Sequence, residues 1–179
     1  MAELNRVDVV EIKKLEKEFN INEISYGDMH NLLYEFIIMV LLPSECLVRK
    51  SFPEKLMQAV RLFTKKYKMY INGQISHQEA KAQWLRIREI ANEFYSESPP
   101  KDIDEFMMLI LMIPNSEVLE KEFKGGYEMG DYLTPNLYRS RALCGDEFCL
   151  KTADFIRHHP LMQKYRWSNF PDVNLEEND

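Results

Sequence analysis

The chain has 179 residues, 45% of them apolar and 29% charged, and carries a formal net charge of −6. That length suits one domain able to bury roughly 70% of the surface its unfolded chain would expose, and six glycines and eight prolines leave little room for low-complexity linkers. The longest apolar runs, FIIMVLL (36–42) and FMMLILMI (106–113), fall well short of the about 20 residues a membrane span needs, so both are expected as buried core helices.

Nearly every segment reads as helix. Val7–Phe19 places Ile12, Leu15 and Phe19 at helical spacing. Asp28 is expected to cap a helix that runs to about Leu42 and ends at Pro43, and a short turn of helix is expected after Ser44. Pro53 starts a long helix with Leu56, Val60, Phe63, Tyr67 and Tyr70 on one stripe. NGQ (72–74) breaks it. Ser76 and Glu79 then form a capping box for a helix whose stripe is Ala80, Trp84, Ile87, Ala91 and Phe94. So short a connection predicts an antiparallel αα-hairpin.

SESPP (96–100) stops the second helix, and another follows from about Asp104 to Ile113, ending at Pro114. A further helix is expected from Ser116 to Phe123, before an irregular loop GGYEMG (125–130). Thr134-Pro135 looks like a cap followed by proline at the first helical position, and Asp146 like the cap of the last helix, which reaches His158 before Pro160. The expectation is therefore an all-α single compact domain of six to eight helices with a central αα-hairpin (about 53–70 and 76–95). It spans residues 1–171, with 172–179 an acidic, frayed tail.

The stretch CGDEFCLKTADFIRHH (144–159) holds two of three cysteines and two of four histidines. On one helix, Cys149 and His159 stand about 15 Å apart along the axis, too far to share one zinc ion. No Glu-x-x-His, His-Glu-x-x-His or phosphate-loop motif occurs. Neither a metal site nor a cofactor site is expected, and no catalytic residue is assigned. Cys149 fits as a small buried hydrophobe on the face of Ala153 and Ile156. His158 and His159 are expected to face solvent at the helix end. A Cys144–Cys149 disulfide is sterically conceivable across Gly145. An odd number of cysteines without an export signal, however, argues for a reducing compartment, hence a cytoplasmic chain with Cys46 a partly buried free thiol.

Charge is unevenly placed. Residues 1–100 carry 14 basic and 14 acidic side chains; residues 101–179 carry 9 and 15. Arg61, Lys65 and Lys68 line one helix face opposite the apolar stripe, a row that could bind phosphates. A DNA-reading helix-turn-helix over 135–158 is disfavoured by Asp146-Glu147 at the end that would approach the phosphates. Tyr127, Asp131, Tyr132, Tyr138, Arg139 and Arg141 have the composition of a partner-binding surface.

These readings order the functions. The leading one is a small protein-interaction module, an inhibitor or immunity-type protein that blocks a partner protein, one with a basic surface suiting the acidic chain. The alternative is a nucleic-acid-associated helical protein using Arg61, Lys65 and Lys68. A third is an enzyme whose site is assembled from distant helices.

Overall fold

A computed structural model describes residues 5–50, 52–94, 101–111 and 130–169. The expected helix at 116–123, the breaks at 96–100 and Pro114, most of the loop at 125–130, and the tail at 172–179 lie outside the described residues. Among those described, the chain is all-α. Its α-helices are α1 (Val7–Glu18), α2 (Tyr26–Phe36), α3 (Glu45–Arg49), α4 (Glu54–Ile71), α5 (His77–Phe94), α6 (Lys101–Leu111), α7 (Gly130–Cys144) and α8 (Asp146–His158). A π-helical turn, Ile37–Leu41, continues α2, and 3-10 turns follow α1 and α8. No helix in this range is long and apolar enough to cross a membrane.

The sequence patterns explain these elements. Leu56, Val60, Phe63 and Tyr67 of α4 are buried, as are Ala80, Ile87 and Ile90 of α5, and the two helices pack as the expected hairpin. Between them, Gly73 takes a φ of +69°. It lets the Gly73 and Gln74 amides donate to the carbonyls of Tyr70 and Met69, a Schellman closure that only a glycine makes cheaply. The Ser76–Glu79 capping box forms in both directions: Glu79 Oε2 accepts from the Ser76 amide at 2.9 Å, and Ser76 Oγ accepts from the Glu79 amide at 3.3 Å. The hairpin is tied to α2 by a Tyr34–Tyr67 ring contact of 4.7 Å and by the Tyr34 hydroxyl donating to the Thr64 carbonyl.

The remaining helices share one core. Helices α1, α7 and α8 pack on one another, α6 packs on α7, and α2 packs on α8. Phe36 sits between Phe148 and Phe155 of α8, and Phe52 stacks on Phe106 of α6. Among the largest fully buried side chains are Phe36, Ile37 and Leu41 from the first apolar run and Phe106 and Met107 from the second.

Helix α6 starts at Lys101, three residues before the expected Asp104, and three further helix starts differ from expectation. Ser25, not Asp28, caps α2, accepting from the Asp28 amide at 3.2 Å. The Asp28 carboxylate instead accepts from the Tyr165 hydroxyl at 2.6 Å and from Lys164. Helix α7 starts at Gly130, so Pro135 is its sixth residue and lies inside it; its missing N–H forfeits the intrahelical bond to the Asp131 carbonyl. Gly145 occupies the cap position of α8 without a side-chain cap, and Asp146 falls in the first turn.

Candidate functional site

The first apolar run is not buried throughout. Ile37 and Leu41 are sealed, but Met39 is 63% exposed. The buried stripe runs through Met29, Leu32, Leu33, Phe36, Ile37 and Leu41, and this spacing of three and four leaves Ile38 and Met39 on the opposite side of the helix. Pro43 ends this segment, Ser44 caps α3 by accepting from the Leu47 amide, and Leu47 anchors α3 in the core. Val48, on the opposite face of α3, is 80% exposed.

Across from α3 stands α8, and between them lies an open groove of about 1090 Å³. Phe148, Phe155, Leu143 and Val40 supply its apolar lining, with Met39 at the edge. Its two rims are charged differently. The α3 rim carries Glu45, Arg49 and Lys50, one net positive charge; the α8 rim carries Glu147, Lys151 and Asp154, one net negative charge. The exposed face of α8 continues to a second, shallower concavity of about 470 Å³ that includes Leu150, Glu11 and Arg157.

A disulfide closes one end of the groove wall. Cys46 of α3 is bonded to Cys144 at the end of α7, across 98 residues of sequence, and both line the groove. This corrects the expectation of a chain with only reduced thiols, and it replaces the conceivable Cys144–Cys149 bond. Cys149 points the other way. It is fully buried and free, and burial, aided by the nearby Asp8 and Glu11 carboxylates, pushes its thiol up to about 12. Its assignment to the core stands.

The two histidines at the end of α8 part company. His158 is exposed, with Nδ1 against the Asp154 carbonyl. His159, expected in solvent, is buried at 6% exposure. Its Nδ1 accepts from the Leu161 amide at 3.3 Å, which leaves the proton on Nε2 for donation to Glu35 at 2.9 Å. Pro160 makes this possible by turning the chain back over the ring in a 3-10 turn that His159 caps.

The residues expected to meet a partner occupy several surroundings. Tyr127 and the side chain of Asp131 lie outside the described residues. Tyr132 is half-buried against the core, and Tyr138 is exposed with the Arg6 guanidinium 5.2 Å above its ring. Arg139 pairs with Glu105 at 3.0 Å, stapling α7 to α6. Arg141 Nε lies 2.8 Å from Asp8 Oδ1, a close charge contact although the N–H is not aimed at the oxygen. Asp8 and Glu11 are both buried on α1, Asp8 against Arg6 and Arg141 and Glu11 against Lys14 and Arg157. Burial works to raise these carboxyls, but hydrogen bonds from the cations outweigh it and hold both below their usual range.

On α4, Arg61, Lys65 and Lys68 are exposed, as expected of one face. Arg61 approaches Glu54 at 3.8 Å, and Lys65 and Lys68 meet no carboxylate among the described residues. No group of three His, Cys, Asp or Glu side chains able to hold a metal occurs among the described residues. Comparison with protein-family models, curated proteins and solved structures finds no match to this chain.

Proposed function

We propose that this chain is a protein-interaction module that binds, and by binding blocks, a partner protein through the groove between α3 and α8. The observation that carries the reading is an open groove with an aromatic lining, Phe148 and Phe155, and the 63% exposed Met39 at its edge. The occupant that fits is an amphipathic helix of the partner. Its apolar stripe would cover Met39, Phe148 and Phe155, with acidic side chains toward Arg49 and Lys50 and a basic one toward Glu147 and Asp154. The chain's net charge of −6 would steer a partner whose remaining surface is basic. A tagged chain is expected to retain a stoichiometric partner at low and moderate salt, and Met39→Lys to release it. Failure to retain any partner, or retention by the variant, would contradict the reading.

A second reading rests on α4. The hairpin 54–94 carries eight basic against four acidic residues, on a chain that is acidic overall. The row Arg61, Lys65 and Lys68 would then bind a nucleic-acid backbone. It predicts oligonucleotide binding that weakens steeply with salt and disappears on charge reversal at these three positions. No binding to single- or double-stranded DNA or RNA at low salt would remove it.

A further inference from the structure

We infer that the Cys46–Cys144 disulfide is a thiol–disulfide exchange site for an external dithiol, and that its reduction frees α3 as the groove's wall.

Four observations lead there. Both cysteines are half-buried and line the open groove, so an incoming sulfur has a route to the bond. The third sulfur cannot take part: Cys149 is only five residues from Cys144, yet it is fully buried and its thiol is held protonated, which closes the internal route to rearrangement. The bond therefore has two states, joined or open, and only an outside thiol changes one to the other. Next, α3 has few other anchors. It is five residues long between extended residues Ser44 and Lys50, and it is held by Leu47 in the core and by the Lys50–Asp102 ion pair of 2.7 Å. Finally, Cys46 Sγ lies 3.7 Å from the Leu143 carbonyl. The disulfide has no proton to donate there, so this contact adds no hydrogen bond to the anchors of α3.

The chemistry balances with a dithiol as reductant. Its thiolate attacks one sulfur of the pair, forming a mixed disulfide as the Cys46–Cys144 bond breaks; the departing sulfur takes up a proton. The dithiol's second sulfur then attacks the mixed disulfide and releases the other cysteine. Two electrons enter the protein, and the dithiol leaves as a cyclic disulfide. The effect on partner binding rests on the groove reading; the exchange itself does not.

The test uses the whole chain and dithiothreitol, without any partner. Air-purified protein is expected to show no fast-reacting thiol when native and one, Cys149, when denatured. Mild dithiothreitol followed by alkylation should label Cys46 and Cys144 alone by mass spectrometry. Amide exchange at Cys46–Lys50 should then quicken at least tenfold while Ala153 and Ile156 on α8 keep their protection. The Cys46→Ser, Cys144→Ser variant should show the same pattern untreated. Three free thiols in protein treated with diamide, a bond that dithiothreitol opens only in denaturant, or equal loss of protection in α3 and α8 would each overturn the inference. No partner is present in this assay, so its outcome is read independently of partner retention and is separate from failure of the groove reading.

Discussion

Cys149 and His30 are both sealed from water, so each is held in its neutral form. Cys149→Ala removes a small buried side chain and should cost on the order of 1 kcal/mol, read from the denaturant midpoint. Cys149→Asp should cost several-fold more, because it buries an unpaired charge beside Asp8 and Glu11. His30 is 6% exposed, with Nδ1 3.1 Å from the Tyr67 hydroxyl, and burial lowers its pKa from 6.5 to about 4. The unfolded chain therefore binds a proton that the folded chain refuses between these values. Stability is fully present above the unfolded pKa and falls as pH drops from about 6.5 toward about 4, by about 3 kcal/mol in total. His30→Gln should flatten that slope, and a slope unchanged in the variant would count against this account. Asp8, Glu11 and Asp28 add further loss, but in the lower window where carboxylates protonate. The ends of α8 separate similarly. His158→Gln should be close to neutral, whereas His159→Ala should cost about 1–2 kcal/mol by removing a cap and the Glu35 hydrogen bond.

Gly145 joins α7 to α8 at a φ of +87°, with open space where a Cβ would stand. Gly145→Ala should therefore cost about 1–2 kcal/mol through backbone conformation alone, and a melting temperature equal to that of the parent would contradict the geometry. Such turns were legible from sequence, as were the stripes of α4 and α5 and the Ser76–Glu79 box, because each is a local pattern. What escaped was set by distant partners. Nothing in the sequence near Asp8 and Glu11 announces Arg141 or Arg157, which arrive from α7 and α8. Cys46 and Cys144 are 98 residues apart, and spacing alone gave no reason to join them. The groove was invisible for the same reason. An unbroken run such as FIIMVLL reads as buried all round, and only the packing shows that one side of it, at Met39, leaves the core.

Across the molecule, one cross-link and a divided charge set the behaviour. Cys46→Ser with Cys144→Ser should lower stability by about 2–4 kcal/mol, since a bond closing so long a loop restricts the unfolded chain strongly. A loss below the error of the measurement would mean that Leu47 and Lys50 hold α3 by themselves. The basic hairpin and the acidic remainder offer two different faces, and the proposed function assigns the partner to the groove on the second. Amide hydrogen exchange of the free chain against the chain bound to its co-purified partner tests that assignment most directly. The account predicts new protection in residues 37–50 and 146–155, the two walls of the groove, with exchange over 61–68 unchanged. Protection centred on Arg61–Lys68, or on α7 at Tyr138–Arg141, with the groove walls left as in the free chain, would contradict it.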